Sequence, residues 1–169
     1  GTGSGDVNAA STITIAQGLA SRFPVNDTLQ TYYGDFYEAN KVYHEGQFGA
    51  KGYYTCDEAT VSPELATLIT TAAGEQDVAV ISIGRQAGEG ADRTDSKGDY
   101  LLGDDETALI DAVSGAFHAQ GKKVVVVLNV NGVIDTAQWG HKVDAILLAY
   151  MAGQETGHAV ADVLSGAVN

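Results

Sequence analysis

Apolar residues follow two different periods along the chain, and the changes of period mark its elements. Three short runs are almost continuously apolar: Val78-Ala79-Val80-Ile81-Ser82-Ile83, residues 123–130 and residues 145–150. Runs of that length without polar alternation predict strands buried on both faces, as in a parallel sheet covered by helices. Between the first two, Leu109, Ile110, Val113, Ala116 and Phe117 fall on one face of a helix predicted over 104–120. Asp104 and Asp105 stand at its start, where carboxylates meet free N–H groups and the positive end of the dipole, and Gly121 follows its end. A last helix over 154–165 carries Val160, Val163 and Leu164 on its apolar side. The order strand, helix, strand, short helix, strand, helix predicts an α/β fold whose right-handed crossovers give a parallel sheet with helices on both faces.

The first half is less regular. Ile15, Leu19 and Phe23 recur at helical spacing and predict a helix over 11–22, although Ile13 and Ile15 alone also fit the alternation of a strand. After Pro24, the residues Leu29, Tyr32, Tyr33, Phe36, Tyr37 and Tyr43 make an aromatic-rich helical stripe, which reads as a packing face or as a stacking platform for sugars. Residues 44–60 hold three glycines and no period, the pattern of a loop or insertion.

Composition narrows the function. Of 169 residues, 9 are Lys or Arg and 22 are Asp or Glu, a net charge of −13, which argues against nucleic acid and anionic membranes as partners. With 44% apolar and 18% charged residues, the length suits one domain over 1–169 with a substantial core. No apolar run approaches the roughly 20 residues that span a bilayer, and the first residues lack a signal-peptide pattern. Cys56 is the only cysteine, so neither an intrachain disulfide nor a zinc pair is expected, and the thiol reads as buried or inert.

The glycine-rich start, Gly1-Thr2-Gly3-Ser4-Gly5, resembles a phosphate cradle only superficially. It does not complete G-x-G-x-x-G, and no G-x-x-x-x-G-K-[ST] occurs, so no nucleotide cofactor is expected. Ser4 either hydrogen-bonds locally or points into a site. No serine has a G-x-S-x-G elbow, and His44, His118, His141 and His158 are too scattered for a triad or a metal set. Residues 84–100 are the most informative segment, because they directly follow a predicted strand, where α/β sheets gather their ligands. Glu89 stands there between Gly88 and Gly90, unshielded by neighbouring side chains. Asp92, Arg93, Asp95, Lys97 and Asp99 read either as part of a site or as a solvated, mutually paired loop.

These pieces together resemble the C-terminal α/β sandwich domain of glycoside hydrolase family 3, the β-glucosidases and their relatives. The resemblance is carried by Val78 to Arg85 with Gly88-Glu89-Gly90-Ala91-Asp92-Arg93, then Asp104-Asp105-Glu106 and Gly121-Lys122-Lys123-Val124. Val143-Asp144-Ala145-Ile146, Gly153-Gln154-Glu155 and Ala161-Asp162-Val163-Leu164-Ser165-Gly166 follow in family order, and residues 1–8 are similar to the loop after that domain's first strand. The resemblance implies a three-layer α/β/α sandwich with a mostly parallel sheet that lacks the family's first strand. It also implies a retaining β-glycosidase that takes β-glucosides or related oligosaccharides, with no cofactor and no metal. Glu89 would be its acid/base, while the nucleophilic aspartate would lie on a (β/α)8 barrel absent from this sequence, so the chain alone is expected to be inactive. Ser4 would border the sugar pocket, Asp92 and Arg93 would brace the loop through an ion pair, and Glu155 at a helix start would be structural. The competing reading is a non-catalytic α/β module that binds a sugar or a protein.

Overall fold

The computed structural model describes residues 9–46, 52–86 and 92–168. In chain order the elements are α1 (Ile15–Ala20), α2 (Asp27–Asn40), β1 (Val42–His44), β2 (Tyr53–Thr55), α3 (Pro63–Glu75), β3 (Val78–Arg85), α4 (Asp104–Ala119), β4 (Lys123–Val130), β5 (Ala145–Leu148) and α5 (Thr156–Leu164). Single 3-10 turns occupy Gly140–Lys142 and Gly153–Glu155. The sheet is parallel in the order β3-β4-β5, with Val78 opposite Lys123 and Val125 opposite Ala145, so both crossovers are of the expected α/β kind.

Strand alternation then divides the sheet into two faces. Val124, Val126, Leu128 and Val130 point to one face together with Ile81 and Ile83, and all pack with Leu65 and Ile69 of α3 and Leu109, Ile110, Val113 and Phe117 of α4. Each of these side chains contributes roughly 1.5–3 kcal/mol by leaving water. Val127 points to the other face and is also fully buried at the centre of the sheet, while Val80, Ser82 and Gly84 of β3 on that face border a groove, and α1 packs against α5 as a further helical pair. The result is the expected α/β/α sandwich.

The α1–α5 contact depends on two glycines. A Cβ on Gly18 would sit 1.9 Å from the Gly157 carbonyl oxygen, and one on Gly157 would sit 2.0 Å from that of Thr14. Ile13, just ahead of α1, is held by its backbone: its N–H donates to the Gln154 carbonyl at 2.8 Å and its own carbonyl accepts from Gly157 at 3.1 Å. Helix α1 is therefore shorter than the expected 11–22. Thr14 starts it with a reciprocal cap, its hydroxyl accepting from Gln17 N–H at 3.2 Å while the Gln17 side chain accepts from Thr14 N–H at 2.9 Å.

Several other boundaries moved for local reasons. Tyr43 leaves the aromatic stripe for β1, because α2 ends at Asn40, whose side chain donates to the Phe36 carbonyl at 2.8 Å. The supposed loop over 44–60 contributes His44 and all of β2 to the antiparallel β1–β2 hairpin, with Tyr43 opposite Tyr54. Helix α3 had no counterpart in the sequence reading, although Ser62 caps it, Pro63 opens it, and Leu65, Ile69, Ala72 and Ala73 are its buried face. Of the three apolar runs, only β4 is buried on both faces. β3 and β5 are the edges of the described sheet, and Val78, Ile146 and Leu148 remain exposed. The third run ends as a strand at Leu148, and Tyr150 turns into the left-handed region at φ 52°.

At α4 the acidic start works differently from expectation. Neither Asp104 nor Asp105 caps the helix; Glu106 reaches back to accept from Gly103 N–H at 2.7 Å, and Asp104 pairs outward with Lys97 at 2.5 Å. The far end is as expected, since Gly121 takes φ 70° and Gly121 and Lys122 return hydrogen bonds to His118 and Phe117.

Candidate functional site

The C-terminal ends of β3 and β4 open onto a groove of about 1560 Å³. Its walls include Val80, Ser82 and Gly84 of β3, Asn129 of β4, and Asp92 and Arg93 from the segment after β3. Tyr37 and Tyr54 line it as well, so the aromatic hairpin and the carboxylate-bearing loop border one space.

Two arginines organise the loop. Arg85, the last residue of β3, is nearly buried and forms a two-pronged pair with Glu106, Nη1 to Oε1 and Nη2 to Oε2 each at 2.5 Å. Parallel N–H donors on a planar guanidinium match a carboxylate, so this pair fixes the start of α4 against the end of β3. The remaining Arg85 Nε donates to the Asp99 carbonyl at 3.0 Å. Arg93 donates from Nη1 to Asp99 Oδ1 at 2.7 Å and to the Gln86 carbonyl at 3.3 Å, and from Nη2 to the Asn131 carbonyl. Its Nε is buried without a hydrogen-bond partner among the described residues, against Gly132, which takes φ 87°.

Asp99 is the meeting point. Its Oδ2 accepts from both the backbone N–H and the hydroxyl of Thr94, each at 2.7 Å. These Thr94 bonds, and then the Arg93 guanidinium, pull its carboxyl down to about 2. The arrangement therefore stays charged well below the pH at which an ordinary aspartate takes up its proton.

Below this cluster, Glu58 lies half-buried in the same groove. Its Oε1 accepts from Ala59 N–H at 2.8 Å and from the Tyr33 hydroxyl at 3.3 Å. Burial pushes its carboxyl above the ordinary carboxylate range, those two bonds oppose the shift, and the negative charges of Glu106 and Asp105 add to it. Burial followed by the charge of Glu58 raises the Tyr33 phenol in turn.

The sequence-based site residues are thus distributed unevenly. Glu89 and Ser4 lie outside the described residues. Arg93 is half-buried and paired, but its partner is Asp99 and not Asp92, which is exposed and has no ion pair among the described residues. Of the loop charges read as mutually paired, Arg93 and Asp99 pair with each other, whereas Lys97 pairs outside the segment with Asp104. Glu155 occupies the N-cap position of α5 and pairs with His158 at 2.8 Å. Cys56 is half-buried and free, and no metal-binding cluster of three or more side chains exists among the described residues. The sequence reading missed the roles of Arg85, Asp99 and Glu106. The signal was present as opposite charges on a strand end, a loop and a first helical turn, but nothing in their spacing said which would meet.

At the opposite end of the sheet, Asp144 has a purely architectural set of partners. Its carboxylate accepts from Lys123 Nζ at 2.7 Å and from Val124 N–H at 2.9 Å, and pairs with His118 at 2.9 Å, which together hold it far below the usual carboxylate range.

Comparison with known proteins agrees with this architecture. The sequence profile of the glycosyl hydrolase family 3 C-terminal domain matches residues 1–169. A β-glucosidase of Ruminococcus albus is 35% identical over 172 residues, covering 100% of this chain and 17% of that protein. Thermostable β-glucosidase B of Acetivibrio thermocellus is 36% identical over 135 residues, covering 78% of the chain and 16% of its own length. Among solved structures, β-glucosidase 3B from Thermotoga neapolitana in complex with glucose superposes with a TM-score of 0.85 at 40% identity, over 99% of this chain and 23% of that one. A β-glucosidase from Paenibacillus barengoltzii gives a TM-score of 0.84 at 31% identity, over 99% of this chain and 18% of its own. The chain therefore spans about a fifth of the length of the relatives it matches. Matched along its whole length and sharing their parallel sheet, this chain belongs to the family of glycosyl hydrolase family 3 C-terminal domains.

Proposed function

We propose that this chain is the acid/base-bearing domain of a retaining β-glycosidase that releases terminal β-linked sugars, with Glu89 as the acid/base. The observation that supports this reading is that Gly88-Glu89-Gly90 follows β3 in the sequence, between Gln86 and Asp92, which both line the groove at the C-terminal ends of the parallel strands. In a retaining mechanism two carboxylates share the work: one attacks the anomeric carbon, the other protonates the departing oxygen and then takes a proton from the incoming water. The attacking aspartate comes, on this reading, from a (β/α)8 barrel in the same protein, and the groove borders the cleft between the two units. Ser4 contacts the sugar or supports Glu89. Asp92, exposed on the groove wall, faces the same space.

The test is a leaving-group series on the full-length enzyme. Glu89→Ala should lower kcat/KM on cellobiose by about 10²–10⁴-fold, the usual worth of a general acid, while leaving a dinitrophenyl glucoside nearly unaffected. Added azide should restore turnover by attacking the glycosyl-enzyme without needing a base. Equal losses on both substrates would reject Glu89 in this role.

A further inference from the structure

We propose that Asp99 is a positioning residue for the acid/base segment, acting through Arg93. The inference rests on the reading of Glu89 above. Gln86 is the last described residue before 87–91, and Arg93 is the second after it. A single guanidinium joins the two, because Arg93 carries one end of the segment on its own backbone and bonds the Gln86 carbonyl at the other, at 3.3 Å. The same group bonds the Asn131 carbonyl, which ties both ends of the segment to the end of β4.

Arg93 can hold that geometry only if its charge is balanced, since its side chain is just 11% exposed. Asp99 supplies the balance through Oδ1 at 2.7 Å. Asp99 is itself locked from two further directions, by the N–H and hydroxyl of Thr94 on Oδ2 and by Arg85 Nε on its carbonyl oxygen. Arg85 is anchored in turn by Glu106 at the first turn of α4. Rigid α/β framework and segment ends are thus connected by an unbroken chain: Glu106, Arg85, Asp99, Arg93, then Gln86 and Asn131. Asp99 is the only link in it that touches both arginines.

Asp99→Asn keeps the shape but removes the charge and turns two hydrogen-bond acceptors into one. Arg93 then loses its counter-ion and the two ends of the segment lose their common tie. A displacement of about 1 Å in a reacting group costs on the order of 10²-fold, so the expected effect falls on the step that needs the acid. In the full-length enzyme, Asp99→Asn should lower kcat/KM on cellobiose by about 10–100-fold. A dinitrophenyl glucoside, whose leaving group needs no proton, should change by less than about threefold. Thr94→Val, which removes the hydroxyl bond to Asp99 together with the one to Ser96 Oγ but keeps the Thr94 N–H bond, should shift the same ratio in the same direction by less, and it carries the test if Asp99→Asn does not fold. A merely structural role would lower both substrates together, and that result, or no change on either, overturns the proposal. Glu89→Ala run in parallel separates the two claims. Leaving-group dependence in Glu89→Ala without any in the Asp99 and Thr94 variants overturns the positioning role alone, whereas none in Glu89→Ala overturns both.

Discussion

Glu58 and Asp99 are carboxylates in one groove with opposite fates. Asp99 gains three hydrogen bonds to its charged oxygens and is held low, whereas Glu58 loses water, gains two bonds, and faces Glu106 and Asp105. A carboxyl whose pKa is raised in the folded state binds its proton more tightly there than when unfolded, so ionising it at neutral pH weakens the fold. That penalty is present above the raised pKa and fades as the pH falls through it. Glu58→Gln keeps an oxygen for Ala59 N–H and the Tyr33 hydroxyl but carries no charge. It should melt about 2–4 °C higher than the parent at pH 7, with the advantage shrinking toward pH of about 4. A lower melting temperature at pH 7, or an advantage independent of pH, would contradict this account of Glu58. Nothing in the sequence distinguished Glu58 among 22 acidic residues, because its burial and its bond to Tyr33 of α2 arise only when the chain folds.

Elements were legible where one period ran long enough. The three strands and α4 were read nearly to their ends, since six apolar residues among the eight of β4 and one apolar stripe in α4 leave little choice. Short elements were not: α1 has six residues, and its Ile13–Ile15 pattern fits either period until Ile13 pairs by backbone with Gln154 and Gly157. The crossing of α1 over α5 was also invisible, because Gly18 and Gly157 look like any other glycines in a chain that has 21. Their role makes a sharp prediction. Gly18→Ala puts a methyl within 1.9 Å of a backbone oxygen that no side-chain rotation can move. The helices must separate, at a cost of about 1–3 kcal/mol or more, measured as a lower urea midpoint with unchanged slope. Gly34→Ala on α2, where nothing lies within 4 Å of the added methyl, should show no such loss.

On the scale of the whole molecule, the chain corresponds to about a fifth of each β-glucosidase it matches. If the nucleophile resides in a barrel, the 169-residue chain by itself should hydrolyse no aryl β-glucoside. Turnover by the purified chain, abolished by Glu89→Ala, would show that the domain carries both carboxylates. Hydrophobic periodicity by itself determined the α/β class, the strand order along the chain and the extent of α4, because burial on a regular element repeats with the element. The ordered motifs by themselves pointed to the family. Only the tertiary structure decided that Arg93 pairs with Asp99 and not with adjacent Asp92, that Glu106 and not Asp104 closes the start of α4, and that Val78, Ile146 and Leu148 stay exposed on the outer strands of the described sheet. Those outcomes depend on which charges and faces the crossovers bring together across the end of the sheet, a distance in space that spacing along the chain does not encode.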